Sequence, residues 1–191
     1  EFQDFTVLMS DNSLLGVLVG TIFTLIVQSS SATIGILQEL FAQGAIDLKA
    51  SLPVLFGDNI GTTITAVLAS IGASVAARRA AATHVLFNLI GAAIFILILP
   101  LFTDFIQLIQ TNLGLNPKMT IATAHGIFNV TNTIIQFPFI AGLAYVVTKL
   151  IPGEDTIVDY KTQHLDPIFI EQSPAIAIGS AQEEIIRMGK F

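Results

Sequence analysis

Residues 14–33 read "LLGVLVGTIFTLIVQSSSAT", an apolar run followed without a charged residue by Gln28, three serines, Ala32 and Thr33. Successive residues of an α-helix point about 100° apart, so in an unbroken helix the side chains from Gln28 to Ser31 would face almost every direction. Each unsatisfied polar group in hydrocarbon costs several kcal/mol. We therefore expect the helix to break at these residues, inside protein or beside a polar cavity.

The composition indicates an integral membrane protein. The 191 residues are 53% hydrophobic and 12% charged, whereas a soluble domain carries roughly 25% charge. Residues 13–153 hold nine charged side chains, and the 38 residues from 154 onward hold ten. This contrast predicts a membrane region at 1–153 and a water-facing segment at 154–191. The start at Glu1 suggests a fragment or a processed chain.

Four apolar units are separated by loops that hold most of the charge. They cover about residues 14–42, 52–77, 80–102 and 119–147, and each could supply the roughly 20 apolar residues of a spanning helix. Polar clusters interrupt the first, second and fourth units. The expected fold is an all-α membrane protein with broken or re-entrant helices beside transmembrane helices. Basic residues favour the cytoplasmic side, so Arg78, Arg79 and Lys149 place their loops there.

The second polar cluster is "GDNIGTTIT" at residues 57–65. It supplies an acid, Asp58, an amide, Asn59, and the hydroxyls of Thr62, Thr63 and Thr65. Free N–H groups at a helix start attract anions, and released carbonyl and hydroxyl oxygens suit hard cations. The glycine spacing and the absence of a lysine exclude a nucleotide phosphate loop.

The third set consists of His84, Asn88, His125, Asn129 and Asn132. A spacing of four residues places each histidine and the following asparagine on one helical face. Polar residues inside a membrane span serve either as hydrogen-bonding contacts between helices or as parts of an ion pathway. Both readings stay open for this set.

Four stretches of the chain together resemble the type II sodium/phosphate cotransporters, in their bacterial branch. They are "GTIFTLIVQSSSATIGILQEL", "LFGDNIGTTITAVLASIGAS", "RRAAATHVLFNLIG" and "AHGIFNVTNTIIQFPF". The resemblance covers roughly residues 8–150. It implies two inverted repeats, each with a Gln-Ser-Ser-Ser motif at a broken or re-entrant helix. The sequence around the motif in this chain is similar to that of the second repeat, so this chain would be half of an inverted-repeat transporter.

The resemblance also implies the site residues. The phosphate-binding set it implies is Gln28, Ser29, Ser30, Ser31, Asn59, Thr62 and Thr63. The sodium-binding set it implies is Gln28, Ser31, Thr33, Asn59 and Thr62. Further support is expected from His125, Asn129 and Asn132.

The chain departs from the family pattern because it has a single Gln-Ser-Ser-Ser motif. The other half would come from another polypeptide, a second copy of this chain in a homodimer, or the remainder of the same protein. The segment from Gly153 onward resembles the junction to a cytoplasmic helical regulatory domain. There, Ser173 and Pro174 are expected to start a helix that ends near Met188.

The function implied is sodium-coupled symport of inorganic phosphate across the bacterial plasma membrane, with Na⁺ as the co-transported ion. Membrane lipid is the expected surrounding, and no nucleic-acid partner is expected. One alternative is an intramembrane serine hydrolase using Ser30 and His125, although the sequence lacks Gly-x-Ser-x-Gly. Another is a non-transporting fragment or scaffold, in which the polar residues only hold helices together.

Overall fold

The computed structural model describes Leu8, residues 11–154 and residues 173–189. The chain divides into two compact units, Glu1–Asp155 and Thr156–Phe191. In the described residues every regular element is a helix, and no strand occurs. This confirms the all-α prediction.

The first unit contains eight α-helices and one 3₁₀ turn in its described part. Their bounds are α1 Ser13–Val27, α2 Ser30–Ala42, α3 Leu48–Thr62, α4 Ile64–Ala69, α5 Val75–Leu97, α6 Leu99–Leu113, α7 Pro117–Gln136, the 3₁₀ turn Phe137–Phe139 and α8 Ile140–Leu150. In the second unit, α9 covers Pro174–Met188 and has proline in its first turn, as predicted.

Short polar side chains determine where five of the helices begin. Each accepts a hydrogen bond from the backbone N–H three residues later, which satisfies a group that the helix itself leaves unpaired. These N-cap residues are Asn12, Ser29, Asp47, Ser74 and Asn116.

Helices α1 and α3 pack in parallel, and each helix has glycines on the face that contacts the other. A methyl group added at Gly16 would lie 2.8 Å from Cβ of Pro53, and one at Gly61 would lie 2.6 Å from the Thr21 carbonyl oxygen. Residue numbers therefore rise together along the two helices. Helix α2 connects them and must run in the opposite direction, so the chain reverses between Val27 and Ser30.

Helix α3 is the centre of the first unit, since all but four of its residues are buried. Phe56 stacks on Phe128 of α7 with ring centroids 4.9 Å apart, and it also contacts Phe95 of α5 and Phe102 of α6. All four rings are buried. This aromatic cluster joins four helices on the side of α3 away from α1.

Helices α5 and α7 run antiparallel. The Gln136 amide donates to the Phe87 carbonyl at 2.8 Å, and Phe95 lies edge-on to Phe128 with centroids 4.7 Å apart. Beyond the 3₁₀ turn, α8 continues toward the start of α5. There Arg79 donates to the carbonyl oxygens of Ile151 and Gly153, so the basic loop and the end of α8 lie on the same side.

Three stretches are long and apolar enough to cross a membrane: Leu48–Ala69, Val75–Leu97 and Pro117–Leu150. They correspond to the second, third and fourth predicted units, with shifted bounds. The second unit was expected to reach residue 77, but its helix ends at Ala69. The first unit is divided into α1 and α2, each of which is shorter than a span.

Candidate functional site

The first polar cluster lies where α1 ends and α2 begins. Gln28 caps α1 in the left-handed region, with φ 54° and ψ 29°, and its N–H donates to the Thr24 carbonyl at 2.7 Å. Ser29 is extended and accepts from the Ala32 N–H, and Ser30 is the first residue of α2. The helix is therefore broken where the sequence predicted it.

Gln28 is the only non-glycine residue with positive φ in the described part of the chain. A side chain in this conformation costs roughly 1–2 kcal/mol, and such strain concentrates at functional sites. Gly44, Gly72 and Gly114 take the left-handed conformation elsewhere in the first unit without this cost. A glutamine in this conformation suggests that its side chain is used at the break.

The break brings together helix ends of opposite polarity. The last carbonyls of α1 form the negative end of its dipole, and the first N–H groups of α2 form a positive end. Gln28 and Ser31 are exposed, while Ser29 and Ser30 are half-buried. The serine triplet is therefore on an open face of this unit, where an anion can approach α2.

The residues expected from the second cluster bond back to their own helix. The Asn59 amide donates to Leu55 O at 3.0 Å, the Thr62 hydroxyl to Asp58 O at 2.8 Å, and the Thr63 hydroxyl to Ile60 O at 2.8 Å. Thr63 is buried, and Asn59 and Thr62 are half-buried. Their oxygens retain lone pairs that can still accept or coordinate.

Thr24, Asp58 and Thr33 join three helices near the break. The Thr24 hydroxyl lies 2.8 Å from Oδ1 of Asp58 and 3.0 Å from the Thr33 hydroxyl. Thr33 also donates to the carbonyl oxygen of Ser29 at 3.2 Å. All three side chains are buried. The structure thus places Thr33 beside an acid that the expected site did not include.

The third set divides into two kinds of contact. The Asn88 and Asn129 amides donate to the backbone carbonyls of His84 and His125, each at 2.9 Å, rather than to the imidazoles. No described hydrogen bond joins Ser30 to His125. The pairing of nucleophile and base that a serine hydrolase needs is therefore not formed.

Asn132 belongs to a contact between α5 and α7. Its side-chain oxygen accepts from Gln136 at 2.6 Å, and a methyl group on Gly91 would lie 2.3 Å from its amide nitrogen. That nitrogen is buried and has no hydrogen-bond partner in the described structure. No described hydrogen bond connects Asn132 with the serine triplet, so this residue packs helices together.

Sequence reasoning left Asp58 and Thr24 out of the site. Asp58 is the only Asp or Glu within the three candidate spans. An ionisable residue within a membrane is by default a functional candidate. That signal was available. Thr24 carried no signal of its own, because only the packing of α1 on α3 places it against Asp58.

A site for a transition metal is not indicated. The described residues contain no group of three or more His, Cys, Asp or Glu side chains that could hold a metal ion. Neutral oxygens and one carboxylate are instead the ligands that hard cations accept.

The sequence profile of the Na⁺/Pi-cotransporter family matches residues 1–116. A protein of Bacillus subtilis strain 168, named as uncharacterized protein YqeW, is 34% identical over 146 residues, covering 76% of this chain and 46% of that protein. A candidate inorganic phosphate export protein of Escherichia coli K12, YjbB, is 29% identical over 188 residues, covering 95% of this chain and 33% of its own length.

A more distant relative is the sodium-dependent phosphate transport protein 2C of Mus musculus, which is 38% identical over 88 residues, covering 44% of this chain and 15% of that protein. The chain spans less than half of the length of each of these relatives. No solved structure gives a significant match. The family and relative names that state an activity describe transport rather than catalysis.

Proposed function

This chain belongs to the Na⁺/Pi-cotransporter family, and we propose that it forms the second of two repeats of a sodium-coupled phosphate symporter. Membership of a transporter family supports transport rather than enzymatic catalysis. Relatives named for phosphate transport or export, and for sodium dependence, support inorganic phosphate as the substrate and Na⁺ as the co-transported ion.

The observation that carries the proposal is the helix break at Gln28 and Ser29. A phosphate at this position would meet the N–H groups of the first turn of α2 and the hydroxyls of Ser29, Ser30 and Ser31. A helix start binds phosphate without a buried basic residue. The Gln28 side chain, exposed beside the break, would complete the contacts from this half.

For phosphate, we propose supporting contacts from Asn59, Thr62 and Thr63. For sodium, we propose Gln28, Ser31, Thr33, Asn59 and Thr62. Their side-chain and backbone oxygens are hard ligands. Among these residues, Thr33 adjoins the Thr24–Asp58 contact, which brings a negative charge to the cation.

His125 and Asn129 are proposed as support from α7. The ion pair between Glu39 and Lys118, 2.5 Å long, joins the last turn of α2 to the first turn of α7. Ser29 and Asn129 lie about equally far along their helices from that pair. From this spacing we propose that Asn129 approaches the serine triplet, whereas Asn132 packs on Gly91.

The exposed serine triplet fits a half-site. We propose that the first repeat, supplied by the rest of the protein or by a second copy of this chain, covers the face that carries Gln28 and Ser31. Transport would then follow from movement of one repeat against the other around the bound ions. Helices α1 and α2 would form the re-entrant hairpin, since each is too short to span the membrane.

We propose that residues 1–153 lie in the bacterial plasma membrane as a multi-pass unit and that residues 154–191 lead into a cytoplasmic domain. Three helices have the length and composition of membrane spans. Arg79 donates a hydrogen bond to the Gly153 carbonyl. The segment from residue 154 onward therefore starts on the same side of the membrane as the Arg78–Arg79 loop. Basic loops favour the cytoplasm.

The test is phosphate flux in proteoliposomes that contain the full-length protein. An inward Na⁺ gradient should drive phosphate accumulation above the level reached with an equal K⁺ gradient. Phosphate flux that ignores the imposed Na⁺ gradient would remove sodium coupling and leave a phosphate transporter. Absence of phosphate flux in either gradient, from protein that remains folded, would contradict the proposed substrate.

The scaffold alternative requires that the polar residues of the break only hold helices together. Gln28 and Ser31 are exposed on the described unit, so they make no dry contact within it. The two described apolar cavities lie elsewhere, one of them lined by Leu86, Gln136 and Leu143 and the other by Ile98, Phe105 and Thr131. Asn132 does hold α5 and α7 together, but the exposed side chains at the helix break do not fit the scaffold alternative.

A further inference from the structure

Asp58 is a completely buried acid with one oxygen unpartnered. Its side chain is 0% exposed. Oδ1 lies 2.8 Å from the Thr24 hydroxyl, while Oδ2 has no hydrogen-bond partner among the described residues. An isolated charge in a membrane interior costs at least a few kcal/mol. An ionised carboxylate at this position is therefore stabilised by a neighbouring cation, without which the group is neutralised by a proton.

No basic side chain in the described membrane unit supplies that charge. Helix α1 contains no ionisable residue, and the only base on α3 is Lys49, at the other end of the helix. Lys118 is paired with Glu39 on the outside of α2. Arg79 bonds to Ile151 and Gly153 at the end of α8. Among the described residues no side chain provides the charge, which leaves room for a bound cation.

The end of α1 favours a cation beside Asp58. Thr24 lies in the last turn of α1, so this helix directs the negative end of its dipole toward the carboxylate. Helix C-termini favour cations.

Neutral oxygens adjoin the carboxylate. Thr24 has one hydroxyl proton, so it cannot donate to Asp58 and to Thr33 at the same time, although both lie within hydrogen-bond distance. Lone pairs on the two threonines therefore remain available. One carboxylate with hydroxyl and carbonyl oxygens suits a hard cation, and its single negative charge matches a monovalent one.

We propose that Asp58 supplies the charge, and Thr24 and Thr33 the neutral oxygens, of a sodium-binding position that shares Thr33 with the sodium set proposed above. This inference rests on the proposed function and adds Asp58 and Thr24 to the site. Thr24 precedes the helix break and Thr33 follows it. Thr33 also holds the Ser29 carbonyl, so an ion at this position fixes the serine triplet and links sodium binding to phosphate binding.

The test measures sodium binding directly, without transport. The full-length protein in detergent is melted at increasing NaCl, with choline chloride added to keep the ionic strength constant and with no phosphate present. The wild-type melting temperature should rise with the logarithm of the Na⁺ concentration once this exceeds the dissociation constant. Asp58→Asn should raise the Na⁺ dissociation constant obtained from this rise about tenfold or more, and Asp104→Asn, on the exposed face of α6, should leave it unchanged.

A second pair of variants keeps the test decisive if Asp58→Asn does not fold. Thr24→Val removes the hydroxyl at nearly constant volume and should weaken Na⁺ stabilisation, whereas Thr24→Ser retains the hydroxyl and should restore it. A Na⁺ dissociation constant that is the same in wild type, Asp58→Asn and Thr24→Val overturns this inference alone. No Na⁺ stabilisation of the wild type overturns the sodium part of the proposed function as well.

Discussion

Gly20 of α1 lies directly against the backbone of Val54 in α3, so that a methyl group on Gly20 would be 2.0 Å from the Val54 carbonyl oxygen. The contact is reciprocated one turn further along, where a methyl group on Gly57 would lie 2.0 Å from the Val17 carbonyl oxygen. Each helix thus carries two glycines four residues apart on the shared face. Small residues at this spacing let membrane helices approach closely.

This glycine contact also sets the position of the candidate site. Thr24 lies one turn after Gly20, and Asp58 directly follows Gly57, so the approach of the two backbones brings the hydroxyl and carboxylate together. The Thr21 hydroxyl adds a bond to the Gly57 carbonyl at 3.1 Å. Packing at the glycines and chemistry at the break are therefore coupled.

We expect Gly20→Ala and Gly57→Ala each to destabilise the protein by about 2 kcal/mol or more, because the added methyl meets backbone that cannot rotate away. Thermal unfolding followed by circular dichroism measures the effect. Gly35→Ala on α2 is the matched control, since its methyl would meet nothing within 4 Å. It should be neutral or stabilising by roughly 0.5–1 kcal/mol. Equal effects at all three positions would contradict the close contact.

Ser30→Ala is expected to weaken phosphate and sodium binding together in the full-length protein. The loss of one hydrogen bond to a charged ligand corresponds to about 1.5–3 kcal/mol, which is roughly a tenfold or larger rise in the dissociation constants. Equilibrium binding of labelled phosphate at several Na⁺ concentrations measures both.

The control for this substitution is Ser70→Ala, because the Ser70 hydroxyl only bonds back to Val67 in the turn before α5. Binding constants that Ser30→Ala leaves at the wild-type values would remove Ser30 from the site.

The ion pair of Glu39 with Lys118 should contribute stability that depends on pH. The hydrogen bond from Lys118, with a further bond from Gln43 and the attraction of the ammonium group, lowers the pKa of Glu39. A carboxyl with a lowered pKa in the folded state stabilises the fold above its unfolded pKa. That contribution is lost as the pH falls through the lowered pKa.

We therefore expect the wild type to lose this small contribution below the ordinary glutamate range, with Glu39→Gln showing no such loss. Both side chains are about half exposed, so the pair is screened and its contribution is modest. The measurement is the melting temperature of the wild type and of Glu39→Gln across acidic pH at low salt. The charge exchange Glu39→Lys with Lys118→Glu should recover stability that either single reversal removes, and failure to recover it would contradict the pairing.

Arg79 is expected to hold the end of α8. Its guanidinium donates to Ile151 O at 3.1 Å and to Gly153 O at 2.9 Å, which satisfies carbonyls at and beyond the helix end. Arg79→Ala should speed hydrogen exchange at residues 150–154 and expose the junction to limited proteolysis. Arg79→Lys should rescue this only in part, because an ammonium lacks the planar fork.

The neighbouring Arg78 provides the control. It is exposed on α5, and Arg78→Ala should leave exchange at the junction at the wild-type rate. Exchange at residues 150–154 that is the same in Arg79→Ala and the wild type would show that the two hydrogen bonds do not hold this end.

The membrane character, the helical class and the location of the helix break could all be predicted from the sequence. Four hydrogen-bonding side chains directly after "LLGVLVGTIFTLIV" cannot be satisfied by one helix in hydrocarbon, and this local argument led to Gln28 and Ser29. The end of the second unit at Ala69 was missed. The residues after it, "SIGAS", read as weakly polar, although Gly72 takes a positive φ in the turn.

What the tertiary structure alone decided is which polar groups meet. Asn59, Thr62 and Thr63 looked like ligands in the sequence, yet their side chains bond to carbonyls of their own helix ends. Asp58 and Thr24 are 34 residues apart in the chain and meet because two glycine faces allow α1 and α3 to pack in parallel. The sequence periodicity of one helix indicates which of its side chains need burial. Which residue each side chain meets on the neighbouring helix depends on the relative direction of the two helices and on how closely their backbones approach, and these are properties of the packed pair.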